Sequence, residues 1–146
     1  MIALVQRVAS ARVTVEGAQV GAIGAGLLVL VCAEPADGDA HAARLVDKLL
    51  KLRIFGDPAG RMNRSLVDTS GGLLLVSQFT LAAVTSAGNR PSFTAAASPL
   101  QAQQVFDAVL RIARQRHAPV ASGVFGAHMQ VSLVNDGPVT IPLRII

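Results

Sequence analysis

The C-terminal stretch VSLVNDGPVTIPLRII, residues 131–146, contains two apolar runs separated by Asn135-Asp136-Gly137-Pro138. The first run alternates apolar and polar residues, which predicts a half-buried strand, and Val139–Ile145 predicts the last strand of the chain. The simplest interpretation is a hairpin. A tight hairpin favours Asn-Gly or Asp-Gly followed by a residue that can pair, whereas Pro138 has no N–H to donate. The Gly137-Pro138 step therefore needs an explanation beyond a simple turn.

Further strands are predicted along the chain. Leu27–Cys32 and the run LLLVSQFTL, residues 73–81, contain uninterrupted apolar stretches typical of buried strands. The segments 2–8, 12–16 and 19–23 also predict strands, with a turn at Glu16-Gly17. With the C-terminal pair and the extended segment 53–55, the sequence predicts roughly seven strands.

Two helices are predicted between these strands. Asp37 or Asp39 is expected to cap the first, because an apolar face follows. Ser98-Pro99-Leu100-Gln101 begins the second as an S-x-x-Q capping box with proline at the first helical position, and this helix is expected to end near His117. Segment 56–66 and residues Ala82–Ala97 are expected to be loops. The elements together predict a mixed α/β protein with helices packed on a sheet.

Composition predicts one domain, residues 1–146. Apolar residues make up 51% of the chain and charged residues 15%, which argues for a real core and against disorder. The sequence shows no signal peptide and no apolar run long enough for a membrane span. Cys32 is the lone cysteine, which excludes a disulfide framework and fits a reducing cytoplasm. Its apolar surroundings predict a core side chain rather than a nucleophile.

The net charge is +4, and arginine supplies eleven of the thirteen basic residues. Clusters at residues 48–64 and 111–116 fit either a solvated helix face or a polyanionic partner, since the guanidinium suits phosphate. The absence of Trp and Tyr argues against an aromatic stacking platform for single-stranded nucleic acid.

Neither a metal nor a cofactor is expected. His41, His117 and His128 are far apart in sequence, and no zinc-ligand spacing occurs. The glycines of GAIGAG, residues 21–26, lie between two predicted strands and do not open a helix, so they indicate a turn rather than a dinucleotide site.

The polar group Ser77-Gln78-Phe79-Thr80 ends a buried strand and is followed by an irregular loop. In α/β folds, ligands bind where strands end and loops begin, so this group is a candidate site. A strand that simply ends at the solvent-exposed surface gives the same pattern.

SQFT followed by LAAVTSAGNRPSF, together with NDGPVT, resembles the D-aminoacyl-tRNA deacylase (D-tyrosyl-tRNA deacylase) family, enzymes that remove D-amino acids from mischarged tRNA. The resemblance extends to MIALVQRV at the N-terminus and GVFGAHMQVSL before the second motif, and it covers essentially the whole chain. It implies largely antiparallel β-sheets that form a partial barrel with two helices on one side, a three-layer α/β/β arrangement. It also implies a cytoplasmic homodimer that acts on tRNA, with no membrane and no DNA partner.

The resemblance also assigns roles to residues. Ser77, Gln78, Phe79 and Thr80 match the motif that holds the 3′-terminal aminoacyl-adenosine. Gly137 and Pro138 match the second motif, whose Gly-Pro bond is cis and which reaches into the partner subunit's site as a chirality filter. Arg7 matches an arginine that orients this segment, and Met129 matches a methionine that supports it.

Three residues depart from the pattern of this family. Val84 stands where an aspartate is common, His128 where an acid is common, and Ile141 where a phenylalanine is frequent. None of them lies in the SQFT or Gly-Pro motif.

Two mechanisms fit these residues. Thr80 could act as a nucleophile, although no neighbouring base is evident in the sequence. Alternatively, water attacks the ester while backbone N–H groups around Phe79 and Thr80, with the Gln78 amide, stabilise the oxyanion. A different class of function, a non-catalytic module that binds the tRNA end, is also compatible with the motifs.

Overall fold

The computed structural model describes residues 1–146 and contains eight strands and three α-helices. The strands are β1 (Ile2–Val15), β2 (Ala18–Ile23), β3 (Gly26–Cys32), β4 (Phe55–Gly56), β5 (Met62–Arg64), β6 (Gly72–Ser77), β7 (Val120–Ser122) and β8 (Gln130–Arg144). The helices are α1 (Asp39–Lys51), α2 (Leu66–Thr69) and α3 (Pro99–Arg116), and a 3₁₀ turn covers Phe79–Ala82. None of the helices has the length and apolar character needed to cross a membrane.

Six strands form one curled sheet. Its order is β2-β1-β3-β6-β7. β3 pairs with the first half of β1 and β2 with the second half, and β8 pairs with both halves along the opposite edge of β1. The pairs that involve β1 are antiparallel, whereas β3–β6 and β6–β7 are parallel. β2 and β7 approach each other so closely that a Cβ built on Gly21 would lie 2.6 Å from the Ser122 carbonyl oxygen. This contact makes the sheet a nearly closed barrel, and the predicted mixed α/β class is confirmed.

The central strands β3 and β6 are buried on both faces, which explains their uninterrupted apolar runs. Leu27, Val29 and Leu75 face the helices and belong to a core of 23 buried residues shared with α1 and α3. Leu28 and Leu74 point to the other face and belong to a core of seven buried residues inside the barrel. Alternate residues of each strand thus enter different cores.

Several predicted boundaries were wrong. The segments 2–8 and 12–16 form the single long strand β1, because β8 pairs along almost its whole length. Gly38 caps α1, since the carboxylate of Asp37 instead binds the Met1 ammonium at 2.9 Å. A third helix, α2, begins within the predicted loop, where the Ser65 hydroxyl accepts a hydrogen bond from the Asp68 N–H at 3.2 Å. The short strands β5, within the predicted loop 56–66, and β7 had not been predicted.

The second long helix begins and ends as predicted. Ser98 is the N-cap of α3, and its hydroxyl accepts a hydrogen bond from the Gln101 N–H at 3.4 Å. The capping box is only half formed, because the Gln101 amide donates instead to the Pro35 and Asp37 carbonyls of the preceding connection. The helix ends at Arg116, and His117 is its C-cap.

The hairpin expected at Gly137-Pro138 is absent, and β8 runs through this step as one strand. Gln6 pairs with Thr140 and Val8 pairs with Asn135, so two steps along β1 match five along β8. The three extra residues make Asp136–Val139 bulge away from the ladder. The lack of an N–H on Pro138 is compatible with such a bulge, because its residues do not pair with β1.

Candidate active site

Ser77–Thr80 mark the point where the buried strand β6 leaves the sheet. Ser77 is the last residue of β6, and the Gln78 N–H still donates to the Val31 carbonyl of β3 at 2.8 Å. Phe79 and Thr80 then open the 3₁₀ turn, a position at which N–H groups have no partner within the helix. The first N–H bonded back into the turn is that of Leu81, which donates to the Gln78 carbonyl at 3.3 Å.

Three of the four motif residues line a cavity with a volume of about 570 Å³, and Thr80 is not in its wall. This volume lies within the usual range for small-ligand sites. Ser77, Gln78 and Phe79 form part of its wall, together with residues of β3, the loop before α3, α3 itself and the segment before β8. The wall is mainly apolar, and the larger side chains in it are Phe93, Phe106, Phe125 and Met129.

The cavity has almost no charge. Its wall contains two ionisable side chains, Cys32 and His128, and no carboxylate, lysine or arginine. Burial raises the pKa of the Cys32 thiol, and the negative charge of Glu34 raises it further. Cys32 is 1% exposed, and its Sγ donates weakly to the Phe79 carbonyl at 3.6 Å. The thiol therefore stays protonated, which confirms the prediction that Cys32 is a core side chain.

No base lies next to Thr80. Its hydroxyl accepts a hydrogen bond from the Gln78 side-chain amide, and this is the only side-chain hydrogen bond it makes. The Gln78 amide carries two N–H donors, so the second is available to a ligand.

A second cluster of the predicted residues surrounds the bulge of β8. The Gly137-Pro138 peptide bond is cis, and both residues are exposed. Arg7 donates from Nε to the Asp136 carbonyl and from Nη1 to the Ile54 carbonyl, both at 2.7 Å. Asn135 closes the bulge from the other side.

The Asn135 amide ties the bulge to both strands. Its Nδ2 donates to the Arg7 carbonyl at 3.0 Å and to the Val139 carbonyl at 3.1 Å. The sequence alone gave no signal for this role, because asparagine in an Asn-Asp-Gly-Pro step is an ordinary turn residue.

The two clusters lie apart within one chain. Ser77 pairs with Val31 of β3, whereas Arg7 pairs with Leu27 at the other end of the same strand. Four residues along a strand span about 13 Å, and the three strand spacings from β6 to β8 add about 14 Å across the sheet. Neither Gly137 nor Pro138 lines the cavity of its own chain. Met129 lies in the cavity wall directly before Gln130, which pairs with Thr14, so within one chain it lies far along β8 from the bulge.

A family model described as "D-Tyr-tRNA(Tyr) deacylase" matches residues 4–144. The chain belongs to this family. The membership confirms the resemblance carried by the two motifs.

Two relatives in the D-Tyr-tRNA(Tyr) deacylase family match the chain throughout. A D-aminoacyl-tRNA deacylase of Variovorax paradoxus (strain S110) is 65% identical, with 99% of each chain covered. One of Methylibium petroleiphilum (strain ATCC BAA-1232 / LMG 22953 / PM1) is 64% identical, covering 99% of this chain and 95% of the relative.

Two solved structures are similar to the chain. A "c-Myc DNA Unwinding Element Binding Protein" is 42% identical with a TM-score of 0.93, covering 99% of this chain and 98% of that one. A "probable eukaryotic D-amino acid tRNA deacylase" is 17% identical with a TM-score of 0.82, and 97% of each chain is covered, which shows a shared fold.

The three departures from the family pattern fall in different places. Val84 forms an isolated bridge with Ser92 in the loop before α3. His128 is exposed at the cavity. Ile141 packs half-buried against the larger core. Only His128 therefore lies where a bound molecule would meet it.

Proposed function

We propose that the protein hydrolyses the ester bond of D-aminoacyl-tRNA, releases the free D-amino acid and tRNA, and excludes L-aminoacyl groups. The observation that carries this proposal is the cavity, which places Ser77, Gln78 and Phe79 around an apolar space large enough for an aminoacyl-adenosine. An uncharged wall suits a nucleoside. The wall also contains no charged side chain that would select one amino acid over another. The protein would act in the cytoplasm, where its substrate is made.

The active site is completed by a second copy of the chain. Gly137 and Pro138 are exposed and lie outside their own chain's cavity, so they are free to enter another. β8 pairs only with β1, which leaves a fifteen-residue edge open to a partner. Val134 on this strand is 58% exposed, which is unusual for a large apolar side chain near the centre of a sheet edge. A symmetric homodimer would cover this edge and supply each cavity with the other chain's Gly-Pro segment.

Hydrolysis proceeds by attack of water on the ester carbonyl carbon. The backbone N–H groups of Phe79 and Thr80 stabilise the negative charge that develops on the carbonyl oxygen. The second N–H of the Gln78 side-chain amide also contributes. The carbon–oxygen bond to the ribose then breaks, and the ribose oxygen takes the proton that the attacking water has lost. The vicinal 2′-hydroxyl of the tRNA assists this proton transfer, because the protein places no acid or base in the cavity wall other than His128 and the protonated Cys32.

Chirality is read by exclusion. The main-chain carbonyls of Gly137 and Pro138, placed against the α-carbon of the bound aminoacyl group, would collide with an L side chain and leave a D side chain free. Arg7 and Asn135 fix these main-chain atoms through the hydrogen bonds to the bulge. Met129 lines the cavity and supports the segment that enters it from the partner.

A panel of aminoacyl-tRNAs tests this function. We expect several D-aminoacyl-tRNAs to be cleaved, because no charged side chain reads the substrate, and L-aminoacyl-tRNAs to survive. Glycyl-tRNA should also be cleaved, since glycine has no side chain to exclude. The measurement is retained radiolabel on the tRNA over time. Binding of the tRNA end without label loss would favour a non-catalytic module, and survival of glycyl-tRNA would contradict exclusion.

Thr80→Ala should retain activity within about tenfold of wild type, because loss of one hydrogen bond that positions the Gln78 amide costs about 1 kcal/mol. Thr80→Phe should abolish activity by filling the space beside Gln78. The kcat of both variants is measured on D-tyrosyl-tRNA. An acyl group trapped on Thr80 and seen by mass spectrometry, or an inactive Thr80→Ala that binds normally, would instead make Thr80 the nucleophile.

A further inference from the structure

Arg90 is the one charged residue between Asp68 and Asp107, a stretch that includes the SQFT motif, the following loop and the start of α3. It is exposed, and its guanidinium takes part in none of the ion pairs of the chain. By contrast, Arg7, Arg116 and Arg144 all bind carboxylates within the fold. Arg90 is therefore a cation without a structural partner in the segment that builds the cavity.

The loop that carries Arg90 is held in place. Val84 and Ser92 exchange two backbone hydrogen bonds, at 2.8 and 3.0 Å, and the Ser92 hydroxyl lies 3.2 Å from that of Thr94. Phe93 lines the cavity and contacts Phe79 edge-on, with ring centroids 5.2 Å apart. Three Cα steps put Arg90 within about 11 Å of Phe93. Arg90 therefore lies close in the chain to a residue of the cavity wall, on a loop whose backbone is anchored.

The cavity wall contains no lysine or arginine that could neutralise a phosphate. A nucleoside ester bound inside would leave the phosphodiester that joins it to the rest of the tRNA outside the mouth. Arginine binds such groups with charge-assisted, two-pronged hydrogen bonds. We propose that Arg90 binds a phosphodiester of the 3′-terminal nucleotides and so positions the tRNA end over the cavity, an inference that rests on the proposed function.

The experiment compares two substrates, D-aminoacyl-tRNA and the phosphate-free ester 3′-O-D-aminoacyl-adenosine. Arg90→Ala should raise KM for the tRNA about tenfold, leave kcat nearly unchanged, and leave hydrolysis of the nucleoside ester at the wild-type rate. Arg90→Lys should have a KM between those of the wild type and Arg90→Ala, because lysine keeps the positive charge but lacks the bidentate guanidinium. The slope of log KM against log salt concentration should decrease by about one in Arg90→Ala. This is the change expected when one phosphate contact is lost.

Arg114→Ala is the matched control. Arg114 is also exposed and forms no ion pair, but it lies in the last turn of α3, far from the Pro99 end that lines the cavity. It should leave both substrates unaffected. If Arg90→Ala lowered kcat/KM equally for both substrates, or did not lower it for the tRNA, the assignment of Arg90 would be overturned. Wild-type protein that cleaves neither substrate would overturn the proposed function itself.

Discussion

Gly137→Ala is expected to lower the rate of D-aminoacyl-tRNA hydrolysis by at least about 100-fold, the size of loss that follows a 1 Å misplacement in an active site. A Cβ on residue 137 would lie 1.9 Å from the Val139 nitrogen and 3.1 Å from its Cα. Both are backbone atoms of the same bulge, so the bulge must change shape to admit a methyl group. The carbonyls that we propose to exclude L-aminoacyl groups would then be displaced.

The effect should come from the bulge and not from unfolding. Gly137 is exposed and lies outside both buried cores, so the variant should keep the wild-type circular dichroism spectrum and melt within a few degrees of it. Gly24→Ala is the matched control, because a Cβ at Gly24 meets nothing within 4 Å. If Gly137→Ala cleaved D-aminoacyl-tRNA at half the wild-type rate or better and still spared L-aminoacyl-tRNA, the role given to the bulge would be wrong.

Gln78→Ala should reduce kcat by about 100- to 1000-fold, the usual loss when one donor to a developing oxyanion is removed. The main chain at this position should be retained, since the Gln78 N–H still donates to the Val31 carbonyl. Single-turnover hydrolysis of D-tyrosyl-tRNA gives the rate of the chemical step directly. KM should change much less than kcat, because the charge that Gln78 is proposed to stabilise is absent from the bound substrate.

Gln104→Ala provides the comparison for this variant. Gln104 is exposed on α3 and makes no side-chain hydrogen bond, so its removal should leave kcat and KM unchanged. A Gln78→Ala enzyme with normal kcat and a raised KM would show that the amide only binds the substrate. The backbone N–H groups alone would then stabilise the oxyanion.

The buried strands and the second long helix could be predicted from sequence because their signals are local. An uninterrupted run such as Leu73–Val76 is typical of a strand covered on both faces, and Ser98-Pro99 begins a helix by its own capping chemistry. The SQFT motif was also placed correctly at the end of β6, since the change from apolar to polar residues is visible in the sequence.

The remainder depended on contacts between distant residues. Asp37 failed as a helix cap because its carboxylate binds the Met1 ammonium, 36 positions away. The expected hairpin failed because β1 is long enough to pair with both halves of β8, which turn propensities cannot reveal. Phe93, Phe106 and Phe125 come together in the cavity wall only through the packing of α3 on the sheet. Their spacing in sequence has no period that would have grouped them.

In the proposed homodimer, each active site takes the SQFT motif from one chain and the Gly-Pro bulge from the other. Mixing the Gly137→Ala and Gln78→Ala proteins under conditions of subunit exchange tests it most directly. A mixed dimer would contain one site with an intact motif and an intact bulge, so random exchange should restore about a quarter of the wild-type activity from two nearly inactive proteins. Activity that stays at the level of the separate variants, although mass spectrometry shows mixed dimers, would contradict the account.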